Sequence, residues 1–343
     1  MSNFRNLKDK SFIIAEVGQN HQGNLSIAKK YIEVFSALGA DAIKFQTRDN
    51  KTLFSKEAYN KEYSSENSFA KKYGEHREKL ELKENDLIAL KKLCKKYKVK
   101  FMSTPFDFNS AKKLKKIGVD LFKISSFDLG NLPLINLVSK MKKPIILSTG
   151  GGNLLEIKES VKVLKKNKAN FAVLHCVSEY PCNYDRLGLD KLKKLAKLFP
   201  KTCLGLSDHF NGILSGPIAF MQGARVFEKH VTFNRTWKGT DHNFSMEPEG
   251  FRKFVRDIRR VPKMMLEKNN NTLGKEKVFS KLGKSIIANK NIKAGKKIKI
   301  EDLNGLIFDK QYMPIRDCVK LIGKKLKRNL NKGEIIYKSY VAK

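Results

Sequence analysis

The sequence lacks any long hydrophobic run, although 41% of its 343 residues are hydrophobic. No apolar stretch approaches the roughly 20 residues that a membrane-spanning helix requires, so we expect no membrane span. The N-terminal stretch MSNFRNLKDKSFIIAEVG joins a basic patch to a short apolar segment that runs into Glu16, which is poor material for a signal peptide. The apolar content is still sufficient for a large core and a smaller second unit.

Cysteine is scarce as well. The five cysteines are odd in number, widely scattered and form no CxxC pair. A disulfide framework or a zinc ribbon requires paired or closely spaced cysteines, so neither is expected. A reducing, cytoplasmic location is the prediction that fits this pattern.

Acidic residues are few, with 34 Asp and Glu against 70 Lys and Arg and a formal net charge of +36. A nucleic-acid-binding protein is the first interpretation of such a charge. However, lysine greatly outnumbers arginine, the residue favoured for bidentate recognition of bases and phosphates. The lysines are also spread as doublets along the polar faces of predicted helices. We therefore predict no nucleic-acid partner, and expect the positive field to concentrate small anionic substrates.

Short β-branched runs alternate with amphipathic helical patterns eight times along the chain. The predicted strands are residues 12–17, 41–46, 100–104, 121–125, 144–148, 171–175, 203–207 and 225–230. Apolar strands that alternate with helices indicate a parallel sheet covered by helices. Eight units in about 265 residues have the size of a (β/α)8 TIM barrel, and an open doubly wound sheet is the alternative. The polar segment 47–83, between the second strand and its helix, is predicted to be irregular.

The pattern changes after the predicted barrel, which we assign to residues 1–267. Residues 268–284 are polar without an apolar period and are predicted to be a linker. Residues 285–343 contain several short β-like pieces and are predicted to form a compact β-rich domain. A domain of this size is close to the lower limit of independent stability, so we expect it to pack against the barrel or a second copy of it.

Nearly every predicted strand ends in a polar or ionisable residue. Because barrels of this type carry their chemistry at the C-terminal ends of the strands, these residues predict an active site at one rim. The strand-end candidates are Glu16, Lys44, Thr104, Lys123, Ser126, Ser148, Ser178, Tyr180, Ser207, His209, Glu228 and His230. Lysines and serines together suit a ligand that carries a phosphate and a carboxylate.

His209 and His230 end adjacent predicted strands, which places them within reach of one metal ion. Two neutral imidazoles suit Mn, Fe, Co or Zn, and an incomplete protein shell leaves positions for water and substrate. Glu228 precedes His230 by two residues, so both side chains point to the same face of the strand. Asp241, in the motif GTDH, follows the last strand and is a candidate contact for a substrate hydroxyl.

The chain carries, in order between residues 15 and 251, the segments AEVGQNHQGNLSIAKKYIEV, GADAIKFQT, STPFD, FKISSFDLGNLPLI, PIILSTGG, YPC, GLSDH, EKHVTFNR, GTDH and SMEPEGF. Together they resemble the sialic acid synthase family, which includes N-acetylneuraminate, legionaminate and pseudaminate synthases. The tail, GKSIIANKNIKAGKKIKIEDL followed by LIGKKLKRNLNKGEII, resembles the SAF (antifreeze-like) domain of these enzymes.

The resemblance implies condensation of phosphoenolpyruvate with an N-acetylated amino-sugar aldehyde, giving a nonulosonic acid plus phosphate by C–O cleavage. A divalent metal, usually Mn with Mg, Co or Fe as alternatives, is implied on His209 and His230. The implied phosphoenolpyruvate contacts are Lys44, Thr104, Lys123, Ser126, Ser148 and Ser207. Glu16, Tyr180 and Asp241 would face the sugar, and the expected catalytic residues are Glu16, Lys44, Lys123 and Glu228. The resemblance also implies a domain-swapped homodimer, in which each SAF domain covers the barrel mouth of the partner.

The sequence departs from the family pattern where the sugar would bind. Ser178 stands where sialate enzymes have an asparagine, and residues 305–309 contain no arginine to reach the sugar's acyl group. The pair Trp237-Lys238 is also unlike the best-known members. The sugar is therefore left open, with legionaminate-type, pseudaminate-type and phosphorylated sugars as alternatives.

Other functions remain as alternatives. A class I aldolase would use Lys123 as a Schiff base if burial depressed its pKa. A nucleic-acid-binding protein is supported by the net charge alone. An ice-binding role for the C-terminal domain has no support beyond its fold-level name.

Overall fold

The computed structural model describes residues 4–267 and 274–342, which divide into two compact units, Met1–Met265 and Leu266–Lys343. Residues 268–273, at the start of the predicted linker, lie outside the described residues. No helix in the described ranges combines the length and apolar character needed to cross a membrane.

Eight parallel strands close into a barrel in chain order, which confirms the predicted (β/α)8 fold and excludes the open sheet. The strands are β1 (Phe12–Gly18), β2 (Ala42–Thr47), β3 (Lys100–Pro105), β4 (Leu121–Ile124), β5 (Ile145–Ser148), β6 (Phe171–Cys176), β7 (Cys203–Asp208) and β8 (Ala224–His230). Each predicted boundary lies within about one residue of the observed one, since apolar strands bounded by helix caps leave little ambiguity.

Helices follow the strands, and most of them cover the outside of the barrel. They are α1 (Leu25–Ala37), α2 (Asn50–Leu53), α3 (Lys56–Asn60), α4 (Tyr73–Lys79), α5 (Glu84–Lys96), α6 (Phe108–Ile117), α7 (Leu132–Ser139), α8 (Leu154–Lys166), α9 (Lys191–Leu198), α10 (Ser215–Met221) and α11 (Pro248–Met264). The exceptions are α2, α3 and α4, which lie in the segment between β2 and α5.

Local sequence explains where these helices begin and end, and α6 is an example. The Asp107 side chain accepts a hydrogen bond from the backbone N–H of Ser110 and so caps the first turn. Gly118 ends the helix in the left-handed region at φ 80°, where a glycine carries no steric cost. Between these ends, Leu114 and Ile117 are among the buried residues of the helix, which fix its inner face.

The core has two layers because successive strand residues point to opposite faces. Ile13 belongs to the large cluster between strands and helices, whereas its neighbour Ile14 belongs to the cluster inside the barrel. The inner cluster also contains Ala42, Met102, Leu121, Ile146 and Val226. Two residues further along each of these strands lie Glu16, Lys44, Thr104, Lys123, Ser148 and Glu228. The pleat therefore aims these polar side chains inward, one layer above the apolar interior.

Residues 47–83, predicted to be irregular, contain the short helices α2, α3 and α4. Each has seven residues or fewer, which is too short to display an apolar period. The backbone N–H of Tyr63 donates to the carbonyl of Lys71 (2.8 Å), and that of Tyr73 donates to Lys61 (2.9 Å). We call this segment the β2–α5 insertion.

The first helix in the described part of the second unit is α12 (Lys277–Leu282), which was not predicted and lies inside the proposed linker. Its six residues are again too few for a recognisable period. Strands β9 (Ser285–Ala288) and β10 (Leu303–Leu306) then pair antiparallel. A separate small core, which includes Ile286, Leu321 and Ile336, holds this unit together. Lys338–Tyr340, expected to be β-like, forms a 3₁₀ turn.

Candidate active site

The C-terminal ends of the strands open into a cavity of about 630 Å³. The predicted site residues that line it are Glu16, Lys44, Thr104, Lys123, Ser126, Ser148, Tyr180, Ser207, His209, Glu228, His230 and Asp241. Ser178 is not among the lining residues. Its hydroxyl lies against Gly150, where an added Cβ would come within 2.2 Å of Ser178 Oγ.

Four buried charges of alternating sign form a row across the floor of the cavity. Lys44 Nζ lies 2.9 Å from Glu16 Oε2 and 3.5 Å from Glu228 Oε1, and Lys123 Nζ lies 3.1 Å from the same Glu228 oxygen. Lys44 also donates to Thr104 Oγ1 at 3.2 Å. The four charged side chains are no more than 4% exposed, so each depends on its neighbours for compensation.

The two carboxyl groups of this row have different proton affinities. Burial alone would raise the pKa of Glu228, but Lys123 and Lys44 outweigh it and lower that pKa to about 2. Burial raises the pKa of Glu16 to about 6, because it outweighs the attraction of Lys44. Glu228 is therefore held ionised, whereas Glu16 titrates close to neutral pH.

Hydroxyl groups surround one end of the row. Ser207 Oγ donates to Glu228 Oε1 at 3.3 Å, and Ser126 Oγ accepts from the backbone N–H of Gly150 at 2.9 Å. The Ser148 hydroxyl is buried without a hydrogen-bond partner in the described part of the chain. A buried polar group normally has a partner, so an unpaired hydroxyl at a cavity wall is well explained by a ligand atom.

The two histidines lie side by side on the rim, with ring centroids 5.4 Å apart. His209 Nδ1 lies 2.7 Å from the carbonyl of Val177, which can only accept, so this bond directs a proton to Nδ1 and leaves Nε2 as the atom that can bind a metal. His230 Nδ1 is buried without a hydrogen-bond partner in the described residues and lies 3.8 Å from Asp241 Oδ2. Burial lowers the pKa of His230 to about 4, which keeps this ring neutral.

Neutral imidazoles are common ligands of divalent metals, and two rings this close can share one ion. Across residues 4–267 and 274–342, however, no group of three or more His, Cys, Asp and Glu is arranged to hold a metal. A metal held here would take the rest of its coordination from water or substrate, as in open catalytic sites.

Aromatic and polar groups form the wall beside the histidines. The Tyr180 ring lies 4.1 Å from the His209 ring and 5.2 Å from that of Phe244, between centroids. Phe244 in turn lies 5.0 Å from the His230 ring. This wall is an apolar surface next to the proposed metal ligands, which suits the carbon face of a sugar.

Three polar side chains converge on Gly18, at the end of β1. A Cβ at this position would lie 3.2 Å from Gln46 Nε2, 3.3 Å from Glu16 Oε1 and 3.4 Å from Asp241 Oδ2. Gly18 also has a φ of +56°, a conformation that other residues rarely adopt. A glycine here lets the amide and the two carboxyl groups face one small volume.

Other residues that line the cavity were not predicted from the sequence, among them Arg48, Arg77 and Phe106. Arg48 follows β2 directly, so the strand-end rule that selected Lys44 would have found it. Arg77 lies on α4, in the β2–α5 insertion, where no apolar period indicates a helix.

A second buried ion pair lies behind the rim. Lys229 Nζ is 2.7 Å from Asp208 Oδ2, and the two side chains are 1% and 0% exposed. Lys229 also donates to the carbonyls of Phe210 and Gly212, and the Ser215 hydroxyl donates to Asp208 Oδ2 at 2.5 Å. Because His209 follows Asp208 and His230 follows Lys229, this pair ties together the two strand ends that carry the histidines.

Comparisons with known proteins show the family of the chain. The model of the NeuB family matches residues 31–270. The human N-acetylneuraminate-9-phosphate synthase is 32% identical over 331 residues, which cover 96% of this chain and 92% of that protein. The N,N'-diacetyllegionaminic acid synthase of Campylobacter jejuni is 38% identical over 296 residues, which cover 83% of this chain and 87% of that protein.

Solved structures give the same result. The N-acetylneuraminic acid synthetase of Leptospira borgpetersenii, in complex with citrate, superimposes with a TM-score of 0.69 at 31% identity. The match covers 79% of this chain and 91% of that one. The chain therefore belongs to the NeuB family of phosphoenolpyruvate-dependent nonulosonic acid synthases.

Proposed function

We propose that the chain condenses phosphoenolpyruvate with the aldehyde of an N-acetylated, mannosamine-like amino sugar, giving a sialic-type acid and phosphate. The observation that carries this proposal is the row Glu16–Lys44–Glu228–Lys123 beside the His209–His230 pair in one cavity. An enolpyruvate trianion needs fixed positive charge, and an aldehyde acceptor needs a polarising group next to it.

The hydroxyl-rich end of the row is the proposed binding place for phosphoenolpyruvate. Lys123 donates to Glu228 alone among the described residues, which leaves two of its three N–H groups for a ligand. The unpaired hydroxyl of Ser148, together with those of Ser126 and Ser207, supplies further donors. Lys44 is already occupied by its carboxylate neighbours and Thr104, so it orients the row and contributes charge.

The reaction forms a carbon–carbon bond to the aldehyde and a carbon–oxygen bond to water, and it breaks the carbon–oxygen bond between C2 and phosphate. C3 of phosphoenolpyruvate attacks the aldehyde carbon, water adds at C2, and the tetrahedral intermediate expels phosphate to give the 2-keto acid. Lys123 offsets the charge that builds on the departing phosphate. Glu228 stays ionised and keeps both ammonium groups in place. Glu16, with its raised pKa, is placed to protonate the new hydroxyl of the sugar.

His209 and His230 are the residues that would hold a divalent metal, with manganese as the first candidate and magnesium, cobalt or iron as alternatives. When bound there, the metal supplies a Lewis acid for the aldehyde oxygen. The neutral state of His230 and the free lone pair of His209 support this assignment.

The sugar is proposed to lie against Tyr180 and Phe244, with Asp241 and Glu16 facing its hydroxyls. Ser178 does not line the cavity, and its proposed effect on the sugar is indirect, through its contact with the backbone at Gly150. The relatives differ in the products that they are named for. The human protein is named for a 9-phosphorylated product and the Campylobacter protein for diacetyllegionaminic acid. A legionaminate-type, pseudaminate-type or phosphorylated sugar is thus the alternative.

One experiment tests the reaction class. The protein is incubated with phosphoenolpyruvate, Mn and a panel of N-acetylated amino sugars, and phosphate release and product mass are followed. We expect one sugar to give a product heavier by an enolpyruvate unit and one equivalent of phosphate. Lys123→Met should abolish most of this activity, whereas Lys116→Met, whose side chain is 80% exposed, should not.

A second experiment separates the synthase from a class I aldolase. Burial lowers the pKa of Lys123, which is the feature that an amine nucleophile would need. Treatment with pyruvate and borohydride would leave a covalent adduct on an aldolase. Absence of the adduct, together with turnover of phosphoenolpyruvate, supports the synthase; an adduct without phosphate release overturns it.

A domain-swapped homodimer is also part of the proposal. Phe127 lines the cavity yet is 77% exposed, as expected of a side chain that a second copy covers. Size-exclusion chromatography with light scattering should give twice the chain mass of 39.2 kDa. A monomer at assay concentration that retains full activity would contradict this part.

A further inference from the structure

Two guanidinium groups line one side of the cavity, apart from the row of four charges. Arg48 follows β2, and Arg77 lies on α4. Arg48 Nη2 donates to Gln46 Oε1 at 2.6 Å, and Gln46 Nε2 donates to Glu16 Oε1 at 2.8 Å. Arg48 is therefore connected through Gln46 to the sugar-facing carboxyl group, and not to the proposed phosphoenolpyruvate lysine, Lys123.

Arg48 is fixed in orientation before any ligand arrives. Glu81 accepts from both its backbone N–H (3.1 Å) and its Nη1 (3.3 Å), and the guanidinium stacks 3.9 Å above the Phe106 ring. The side chain is only 9% exposed. A stacked, hydrogen-bonded guanidinium loses little freedom when it binds an anion, so it is preorganised as an anion-binding group.

Arg77 has neutral partners instead. Its Nη1 donates to Gln19 Oε1 at 2.5 Å, and its Nε and Nη2 donate to the Tyr73 hydroxyl at 3.0 and 2.7 Å. In residues 4–267 and 274–342 it forms no ion pair. Glu81, which pairs with Arg48, is the only carboxylate within ion-pair distance of either guanidinium in the described residues, and Asp241 attracts Arg48 at longer range. Arg77 is half-buried and faces the cavity without such a partner. Its charge is therefore available to an anionic ligand.

The number of free donors indicates what that ligand carries. Each guanidinium has five N–H groups, and the contacts above leave about half of them unused. One planar carboxylate is saturated by a single bidentate arginine, whereas two forks from different elements suit the three oxygens of a phosphate monoester. The anionic groups of phosphoenolpyruvate are already met by Lys123 and the serine hydroxyls.

We propose that Arg48 and Arg77 bind a phosphate monoester carried by the sugar aldehyde, at the end of the open chain distant from the aldehyde. This inference rests on the proposed condensation and selects the phosphorylated class among its sugar substrates. Arg77 is the specificity-determining group, since Arg48 is already partly neutralised by Glu81.

The kinetic test compares N-acetylmannosamine with its 6-phosphate as acceptors for phosphoenolpyruvate. We expect kcat/KM for the 6-phosphate to exceed that for N-acetylmannosamine by roughly 100-fold, because the unphosphorylated sugar lacks the hydrogen bonds between its phosphate and the two arginines. Arg77→Gln should reduce this ratio at least roughly 10-fold. Arg252→Gln, an exposed arginine on α11 paired with Glu249, is the matched control and should leave the ratio unchanged.

A binding test keeps the proposal independent of turnover. Calorimetry is used to compare N-acetylmannosaminitol 6-phosphate, which has no aldehyde, with N-acetylmannosaminitol. We expect the phosphorylated alditol to bind at least roughly 10-fold more tightly to the unaltered protein, and Arg77→Gln to remove this difference. Equal binding of the two alditols overturns the inference without any variant. If no sugar is consumed yet the phosphorylated alditol binds selectively, the proposed reaction fails and the phosphate site stands.

Discussion

The Lys229–Asp208 pair allows a quantitative prediction, because it is fully buried and lies outside the proposed substrate contacts. In a Lys229→Met protein, Asp208 would keep its hydrogen bonds from Ser215 and from the backbone N–H of Phe210 but would lose its only ion-pair partner in the described residues. Removing one member of a buried pair typically costs about 3–5 kcal/mol, since the remaining charge is left uncompensated. We expect a loss of this size in the free energy of unfolding.

Equilibrium unfolding in urea, followed by the circular dichroism of the full chain, measures this loss. Asp208→Asn and the double variant complete a thermodynamic cycle. The double variant should be more stable than the sum of the two single losses implies, by at least about 1 kcal/mol, because neither charge is left alone. If the free energy of unfolding of Lys229→Met lies within about 1 kcal/mol of the unaltered protein's, the reasoning is refuted. Two side chains that are 1% and 0% exposed would then not depend on each other for charge compensation.

Three further predictions follow from the site and its surroundings. Lys123→Met should lower kcat/KM for phosphoenolpyruvate at least roughly 10-fold in steady-state assays, because it removes a buried ammonium from the proposed phosphate position. Exhaustive chelation should stop turnover and added Mn should restore it, whereas a His209→Ala protein should not recover; full activity of that variant after chelation would remove the metal from the scheme. His21 should make stability depend on pH: burial lowers its pKa from 6.5 to about 4, and its Nδ1 accepts from the backbone N–H of Gly23. Its contribution, up to about 3 kcal/mol, is present above pH 6.5 and lost as the pH falls toward 4, so urea unfolding at several pH values should show a slope that His21→Asn reduces.

The sequence was sufficient for the barrel and for most of the cavity wall. Strand alternation dictates that Glu16, Lys44 and Lys123 point inward once Ile14, Ala42 and Leu121 fill the interior. The same argument brings His209 and His230 to one rim, since adjacent parallel strands end together. These are consequences of a period of two residues and of strand order, both of which can be read from one chain.

Other features could not be predicted because they depend on contacts between distant segments. Arg77 reaches the cavity only because α4 folds back toward Gln19, and no local pattern encodes that approach. That Arg77 has no ion-pair partner among the described residues depends on which carboxylates lie near it in space. Short helices such as α4 and α12 also form through packing rather than through an intrinsic period. Ser178 was expected in the cavity wall, but it is not among the lining residues, and its hydroxyl lies against Gly150.

The β2–α5 insertion separates two tasks along the chain. Its hydrogen bonds between residues 61–63 and 71–73 close it on itself, while β2 and β3 keep an unbroken parallel register on either side of it. Residues in the insertion can therefore diverge without a change in the β2–β3 register that positions Lys44 and Thr104. We expect that exchanging this segment between relatives changes the preferred sugar and leaves the proposed catalytic row in place.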